Sequence, residues 1–366
     1  MQGGPPRGID TCQAIGRIGR RRQGSPRVIM KVLVTGSAGH LGEALVRRLR
    51  ALRHDVVGLD ILASPFTDAV GSITDPVCVR RCMAGVDTVM HAATLHKPHV
   101  ATHGRRDFIE TNVTGTLTLL EEAVAVGVRS FLFTSTTSVF GNALRPPGGA
   151  PAAWVTEDVR PVPRNIYGVS KAAAEELCHL FHNRDGLACL VLRTSRFFPE
   201  ADDDAVTRRE FADGNAKANE FLFRRADLED IVSAHLRAAE RAPDIGFGRY
   251  IVSATTPFRP EDLAELRGDA PAVLARRVPG YASVYDRLGW KMFPGVDRVY
   301  VNDKARRELG WEPVYDFAHV LARLEAGEDP RSPLARAVGS KGYHEQVFTE
   351  GPYPVEQMSD LTKDGH

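Results

Sequence analysis

The chain has 366 residues, of which 43% are hydrophobic and 25% are charged, and its formal net charge is +1. This composition is typical of a soluble globular protein, and the balanced charge argues against nucleic acid or an anionic membrane surface as a partner. No segment is apolar over the length that a transmembrane helix needs. The five cysteines form no C-x-x-C pair, which favours a reduced, cytoplasmic protein without a cysteine metal motif.

The first 29 residues differ in composition from the rest of the chain. They contain six arginines, one acidic residue, six glycines and three prolines, with no apolar run of signal-peptide type. We interpret residues 1–29 as a disordered leader or as a mis-called start, with translation beginning at Met30. A transit peptide and a nucleic-acid-binding arm are the alternatives, and the glycines and prolines disfavour the amphipathic helix of a transit peptide.

A phosphate-binding loop is predicted directly after this segment. An apolar strand at 31–35 leads into Gly36, Gly39 and Gly42, and an amphipathic helix follows at 41–53. Glycine permits positive φ and lets a pyrophosphate approach the backbone, while the free N–H groups of a helix N-terminus bind the anion. Glycines at this spacing also occur in ordinary turns, so the motif needs support from the residues that follow it.

Asp60 supplies that support. It ends a second predicted strand, at 55–59, and lies 18 residues after Gly42. A carboxylate at this position accepts hydrogen bonds from the adenosine ribose hydroxyls and repels a 2′-phosphate. The two features together predict a dinucleotide cofactor, with NAD favoured over NADP.

The alternation of short apolar strands and amphipathic helices predicts the fold class. Strands are expected at 31–35, 55–59, 86–91, 128–134 and 187–193, and helices at 41–53, 76–83, 106–126 and 168–183. Strands that are buried on both faces and separated by helices form a parallel sheet. We therefore predict an α/β protein with a doubly wound parallel sheet of Rossmann type, and a Pro- and Gly-rich loop at 142–165.

The second half of the chain is less regular and predicts a smaller substrate lobe. Its expected elements are a helix at 227–241, a strand at 249–253, and helices at 260–267, 303–309 and 317–325. We expect a dinucleotide-binding domain at 30–195 that also takes in part of 227–256, and a substrate lobe at 196–326. Residues 327–366 are polar and rich in Gly and Pro, and we expect a loosely packed tail there.

Hydride-transfer chemistry is indicated by Thr136, Tyr167 and Lys171. Thr136 follows the strand at 128–134, and Tyr167 and Lys171 lie four residues apart, on one face of a helix. A free tyrosine has a pKa of about 10, so acting as a base at neutral pH requires a pKa about 3 units lower. A lysine ammonium and a nicotinamide cation both favour the phenolate, and Thr136 would hydrogen-bond the same substrate oxygen.

These motifs together resemble the extended short-chain dehydrogenase/reductase family of NAD-dependent sugar epimerases and dehydratases. The resemblance extends over residues 30 to 326 and rests on further matches as well. They are His91-Ala92-Ala93, Asn112-Val113-x-Gly115-Thr116, Arg193, and the segment Asp303 to Pro313.

The resemblance implies a role for each matching residue. The catalytic residues are Thr136, Tyr167 and Lys171, with Ser135 and Thr137 as alternatives if the register of Thr136 is off by one. The implied NAD-binding residues are Gly36, Ala38, Gly39, His40, Leu41, Gly42, Asp60, Asp75, Ala92, Ala93, Asn112 and Lys171. The implied substrate-side residues are His96, Arg193 and Phe197. The family also implies a homodimer formed through the helices at 106–126 and 168–183.

The segment after Arg193 departs from the family pattern. Many nucleotide-sugar enzymes read Tyr-Gly-Pro-Gly there and continue with a long insert, whereas this chain reads Phe197-Phe198-Pro199-Glu200 and reaches Asp227 within about thirty residues. A shorter insert is similar to that of compact enzymes that oxidise free sugars or uronates. The fold and cofactor are therefore better predicted than the substrate.

Three clusters of polar residues leave alternatives open. His96, His99 and His103 have spacing that suits Zn²⁺, but they follow a strand in the loop that should border the substrate, and we favour that role and no metal. The acidic run at 202–204 is interpreted as a solvated loop rather than a Mg²⁺ site. Four arginines either clamp an anionic group of the substrate or are simply exposed: Arg208, Arg209, Arg224 and Arg225.

Three functions remain in consideration. The first is an NAD-dependent epimerase or dehydratase that acts on a sugar or nucleotide sugar. The second is an NAD-dependent dehydrogenase of a free sugar, a uronate or another secondary alcohol, which the short 199–227 segment favours. The third is a non-catalytic dinucleotide-sensing protein, against which the Thr136, Tyr167 and Lys171 set argues.

Overall fold

The computed structural model describes Met1, residues 29–342 and residues 351 and 352. The interpretation of residues 1–29 as a leader therefore falls almost wholly outside the described residues. Within the described part of the chain, no helix is long and apolar enough to cross a membrane.

A seven-stranded, wholly parallel sheet forms the centre of the molecule, in the strand order β3-β2-β1-β4-β5-β7-β8. Its strands are β1 (Lys31–Thr35), β2 (Asp55–Asp60), β3 (Ala69–Val70), β4 (Thr88–His91), β5 (Ser130–Thr136), β7 (Cys189–Thr194) and β8 (Phe247–Val252). The remaining strands, β6 (Ala153–Val155) and β9 (Arg298–Tyr300), pair in parallel as a separate ribbon. The prediction of a doubly wound parallel sheet is confirmed.

Helices cover both faces of this sheet. One layer contains α1 (His40–Ala51), α8 (Leu228–Ile245), α12 (Asp303–Leu309) and α14 (Pro333–Val338). The opposite layer contains α2 (Pro76–Met83), α4 (Gly115–Val126) and α5 (Ile166–Asp185). Val32 and Val34 of β1 pack against the first layer and Leu33 packs against the second. This alternation explains why the strand is a continuous apolar run, since both of its faces are buried.

A smaller lobe has its own apolar core beside the carboxyl ends of the strands. It contains α7 (Asp213–Glu220), α9 (Leu263–Leu266), α10 (Ala270–Arg277), α11 (Tyr281–Leu288), α13 (Phe317–Glu325) and the β6–β9 ribbon, and is preceded by the short α6 (Ala205–Glu210). α12 does not belong to this core, because Ala305 and Leu309 pack against the sheet layer together with Trp311. The ribbon and the helices α6, α7, α10 and α11 were not predicted from the sequence.

Two expectations are corrected by the structure. The segment expected as one helix at 106–126 begins as α3 (Arg105–Phe108), continues as a π-helix at Ile109–Thr114 and becomes α-helical again only at Gly115. The segment after 327 is not loosely packed over its described part. Val338 of α14 lies in the sheet core, and the backbone N–H of the fully buried Ser332 donates to the carboxylate of Asp227.

Candidate active site

A cleft of about 2570 Å³ lies along the carboxyl ends of the central strands, between the sheet and the smaller lobe. The strand order reverses at β1, and open α/β sheets bind ligands in the crevice at such a point. The volume exceeds the roughly 300–1,000 Å³ of a site for one small ligand. It is large enough for a dinucleotide and a substrate together.

The glycine loop has no room for side chains. Gly36 has φ +72, and a Cβ atom on it would lie 2.7 Å from the backbone N of Ala93. A Cβ on Gly42 would lie 1.8 Å from the carbonyl oxygen of Gly36. α1 begins at His40, and its N-cap Gly39 makes no side-chain capping hydrogen bond. The first turn of α1 therefore lies at the cleft beside the glycine loop, and a helix N-terminus at this place fits a pyrophosphate.

Asp60 lies at the end of β2, at the rim of the same cleft. Its carboxylate accepts hydrogen bonds from the backbone N–H of Ala38 at 2.9 Å and of Leu62 at 2.9 Å. These two contacts fix the carboxylate against the glycine loop. That arrangement fits an acceptor for adenosine ribose hydroxyls.

Thr136 and Tyr167 meet at the floor of the cleft. Thr136 ends β5 and its hydroxyl hydrogen-bonds Tyr167, which lies in the first turn of α5. Burial raises the pKa of Tyr167 to about 12, and the hydrogen bond from Thr136 opposes that shift. In this environment Tyr167 is a phenol at neutral pH, so it requires additional positive charge to act as a base.

Lys171 lies one turn after Tyr167 and below the cleft surface, with 2% of its side chain exposed. Burial lowers the pKa of Lys171 to about 7, although the Glu175 carboxylate opposes the shift.

Asn112, in the π-helical segment, donates to Ser170 at 2.9 Å and to the carbonyl of Leu95 at 2.8 Å. These contacts tie the start of α5 to the loop that follows β4, although Asn112 does not line the cleft.

Two further predicted site residues, like Lys171 and Asn112, do not line the cleft. Asp75 is the N-cap of α2 and accepts from the backbone N–H of Val77 at 2.9 Å, so its carboxylate stabilises a helix end. Arg193 is 2% exposed and donates to Glu175 at 2.7 Å, so its guanidinium group stabilises the sheet–helix packing. Gly71, Ser72 and Ile73, which precede Asp75 in the chain, do line the cleft.

The other predicted residues all line the cleft. They are Gly36, Ala38, Gly39, His40, Leu41, Gly42, Asp60, Ala92, Ala93, His96, Thr136, Tyr167 and Phe197. His96 stacks on Phe198 with ring centroids 5.5 Å apart and an interplanar angle of 26°. His99 and His103 follow it ring to ring, but no group of three metal-ligating side chains is assembled within the part of the chain that the structure describes.

The acidic run at 202–204 is not a solvated loop. Asp202 and Asp203 both pair with Arg196, and Asp204 caps α6.

Two of the four arginines that could clamp an anionic group of the substrate form ion pairs instead, since Arg224 and Arg225 both pair with Glu220. Other arginines that line the cleft were not predicted from the sequence, because no local motif joins them, among them Arg145, Arg164 and Arg298.

Comparison with known proteins agrees with this geometry. The model of the NAD dependent epimerase/dehydratase family matches residues 32–245, more than half of the chain. The chain belongs to this family. Its cofactor is accordingly NAD, and it is an NAD-dependent enzyme of the epimerase/dehydratase type.

The individual relatives that match most of the chain have low sequence identity to it. The chain is 26% identical over 323 residues to a UDP-glucose 4-epimerase of Rhizobium meliloti, covering 79% of this chain and 94% of the relative. It is 25% identical over 339 residues to a 3-beta-hydroxysteroid dehydrogenase of Mycolicibacterium neoaurum, covering 80% and 89%. A shorter match, 173 residues at 32% identity, covers 46% of this chain and 41% of an uncharacterized Sinorhizobium fredii protein, y4nG.

The fold is also similar to that of experimentally solved structures. A short-chain dehydrogenase/reductase superfamily protein from Agrobacterium tumefaciens, solved with bound NAD, superposes with a TM-score of 0.59 at 24% identity. The match covers 81% of this chain and 96% of that chain.

Proposed function

We propose that this enzyme oxidises a secondary hydroxyl of a sugar or nucleotide sugar and returns the hydride to the same molecule, as an epimerase does. The proposal rests on one observation above all, the buried Tyr167 that hydrogen-bonds Thr136 beside the glycine loop in one cleft. The similarity to a UDP-glucose 4-epimerase over most of the chain supports it.

Each catalytic side chain has a separate task in the proposed reaction. Thr136 accepts or donates a hydrogen bond at the reacting oxygen and holds it beside the phenolic oxygen of Tyr167. The proton of the substrate hydroxyl passes to the Tyr167 phenolate, and Lys171 stabilises that phenolate through its charge. NAD⁺ held by the glycine loop and Asp60 would supply the hydride acceptor and a positive charge that favours the phenolate. Asn112 keeps α5 in position through Ser170.

The cleft favours epimerisation over dehydration. Elimination of water needs a further acid or base beside the sugar ring, and Thr136 is followed by Thr137 and Ser138 rather than by carboxylates. Among the described residues, the substrate-side carboxylates that line the cleft are engaged elsewhere. Asp202 and Asp203 pair with Arg196, Glu200 with His40, Asp297 with Arg267, and Asp204 caps α6.

A dehydrogenase that releases NADH in each turnover is the second candidate. The similarity to a 3-beta-hydroxysteroid dehydrogenase favours a secondary alcohol as substrate, and the same three catalytic side chains serve this reaction. In that case the oxidised product leaves and no hydride returns. A non-catalytic dinucleotide sensor would keep the glycine loop and Asp60 but would not need Tyr167.

We also propose a homodimer, formed through α4 and α5. Both helices expose apolar side chains on their outer faces, among them Val124, Val126, Val169 and Leu180. Exposed apolar residues on neighbouring helices are typical of a subunit interface. Multi-angle light scattering on the purified chain measures the mass directly, and a monomeric mass would contradict this proposal.

The experiment that tests the proposed function measures cofactor retention. The purified chain is passed through gel filtration and denatured, and the supernatant is assayed for NAD⁺ and NADH. An epimerase should release a near-stoichiometric amount, because its hydride is borrowed and returned. Protein that emerges empty and binds added NAD⁺ weakly supports the dehydrogenase instead. Protein that binds NAD⁺ but reduces it with none of a panel of sugars, uronates and secondary alcohols favours the sensor.

A further inference from the structure

The segment that follows α13 returns to the glycine loop. α14 packs into the sheet core through Val338, and the chain continues from there to Gly342. We refer to residues 332–342 as the C-terminal strap. Lys341 and Gly342 line the cleft together with His40, the first residue of α1, although Lys341 follows His40 by 301 residues. The strap therefore reaches the place where the pyrophosphate of NAD is expected.

One carboxylate oxygen joins the strap to two other segments of the chain. The Oε1 atom of Glu200, in the segment after β7, lies 2.8 Å from the Nε2 atom of His40. The same oxygen accepts hydrogen bonds from the hydroxyl of Ser340 at 2.8 Å and from the backbone N–H groups of Lys341 at 3.2 Å and Gly342 at 3.3 Å. We refer to these contacts of Glu200 with His40 and the strap as the cleft bridge.

The charges in the cleft bridge make its contacts strong. Burial would raise the pKa of the Glu200 carboxyl, but the hydrogen bond and charge of His40 and the hydrogen bond of Ser340 lower it to about 2. Glu200 is therefore ionised at neutral pH, and its hydrogen bonds are charge-assisted. A separate ion pair joins Lys341 to Glu43, in the first turn of α1. Two carboxylates thus hold the strap beside the start of α1.

The strand order shows what the cleft bridge spans. His40 follows β1 and Glu200 follows β7, and two strands, β4 and β5, lie between them in the sheet. Three strand spacings of about 4.8 Å separate β1 from β7 by roughly 14 Å, so the contact crosses above the carboxyl ends of β4 and β5. Thr136 ends β5 beneath this crossing. A dinucleotide that extends from the glycine loop to Thr136 and Tyr167 has to pass under the cleft bridge.

We propose that the cleft bridge controls the passage of NAD, with Glu200 as the positioning residue that fastens the C-terminal strap, and that the bridge opens whenever the cofactor enters or leaves. All of its contacts are noncovalent, and loop contacts of this kind open and close on a timescale that can limit ligand release. The inference rests on the proposed function for its purpose. An enzyme that returns the hydride to the same molecule does not exchange NAD in each turnover, and slow release suits it.

The test measures the rates at which NADH binds and leaves. The full chain is freed of cofactor, mixed with NADH in a stopped-flow fluorimeter for association, and then chased with excess NAD⁺ for release. Glu200→Gln keeps the side-chain shape and removes the charge. We expect its release rate constant to rise by about tenfold, the effect of weakening one charge-assisted contact. Association should become faster as well, so that Kd changes by less than the release rate constant does.

Two milder variants weaken the strap without touching His40. Ser340→Ala removes the hydroxyl that donates to Glu200, and Lys341→Gln removes the charge that pairs with Glu43. Both residues are exposed, so these variants carry the test if Glu200→Gln does not fold. Each should raise both rate constants by about threefold. The matched control is Glu210→Gln, which removes a carboxylate from an exposed residue of α6 that does not line the cleft.

The outcomes separate the cleft bridge from the proposed function. Rate constants equal to those of the control would overturn the inference, even if the unmodified chain retains NAD as an epimerase should. Faster release with unchanged association would also overturn it, because that result describes a group that only contacts the bound cofactor. Faster association and faster release in the strap variants support the inference, even if the retention experiment favours a dehydrogenase.

Discussion

The Nζ atom of Lys171 lies 4.0 Å from the centroid of the Phe133 ring. A cation over an aromatic face is stabilised by the ring quadrupole, and the contribution grows when water is excluded. Burial nevertheless lowers the pKa of Lys171 to about 7. Near neutral pH, Lys171 therefore exchanges between its protonated and its neutral form. A variant without this charge tests whether the protonated form supports Tyr167.

The first prediction concerns Lys171→Met, which keeps most of the side-chain volume and removes the charge. We expect turnover at neutral pH to fall by about 100-fold, because burial already raises the pKa of Tyr167 to about 12 and the variant lacks the charge that we propose to stabilise the phenolate. The rate should then rise with pH as more of the phenol ionises. A rate that stays constant or falls between neutral and alkaline pH would contradict this role of Lys171.

The second prediction concerns Tyr167→Phe. Loss of the hydroxyl should reduce turnover by at least about 100-fold, since no other group takes the substrate proton. Unlike Lys171→Met, this variant should not recover at high pH. Its affinity for NAD, measured by fluorescence or calorimetry, should remain close to that of the unmodified chain. An unchanged turnover rate would exclude the proposed proton transfer.

The third prediction concerns Gly42→Ala. A Cβ here would lie 1.8 Å from the carbonyl oxygen of Gly36, so the loop must move and the pyrophosphate site is lost. We expect NAD affinity to fall by about 100-fold or more, or about 3 kcal/mol. Gly268→Ala is the matched control, because no atom lies within 4 Å of the Cβ that it adds. Equal NAD affinity in the two variants would remove the phosphate-loop assignment.

The central sheet and the cofactor loop were predictable because their signals are local. β1 is a continuous apolar run, and three glycines at fixed spacing follow it within the same segment. The β6–β9 ribbon was not predictable, since each strand has three residues and acquires its partner only through the tertiary fold. The cleft-lining Arg145, Arg164 and Arg298 were not predicted for the same reason, because they are separated by 19 and 134 residues along the chain.

Two other differences between the predictions and the structure do have a local signal in the sequence. Asp75 is followed directly by Pro76, and an Asp before a Pro at the first helical position is a typical helix start. Ser332 and Pro333 begin α14 in the same way, within a segment expected to be loosely packed. Arg193 could not have been placed from sequence, because its direction depends on the buried Glu175 across the sheet–helix interface.

The fourth prediction concerns cofactor selectivity. Asp60→Ala removes the carboxylate that faces the glycine loop from the end of β2. We expect the ratio of NAD to NADP affinity to fall by about tenfold or more, because the repulsion of a 2′-phosphate disappears together with the ribose hydrogen bonds. Both affinities are measured on the same preparations. A ratio that does not change would contradict the ribose assignment of Asp60.

The last prediction concerns stability at acid pH and rests on His235, which is fully buried in α8. Its Nε2 lies 2.9 Å from the hydroxyl of Thr134, and its Nδ1 lies 2.8 Å from the carbonyl oxygen of Ile231. Burial lowers the pKa of His235 from 6.5 to about 4, against the opposing hydrogen bond to Ile231. The folded state therefore keeps this imidazole neutral over a range of pH in which the unfolded state protonates it.

The sign of the pH effect follows from this difference. Between about pH 6.5 and pH 4 the unfolded chain binds one proton more than the folded chain at this site, so the free energy of unfolding falls as the pH falls. The loss from this group should amount to about 3 kcal/mol by pH 4. His235→Gln, which retains a donor and an acceptor, should flatten the dependence of Tm on pH in that range. His103→Gln, at an exposed histidine, is the control, and an equal slope in the two variants would contradict the assignment to His235.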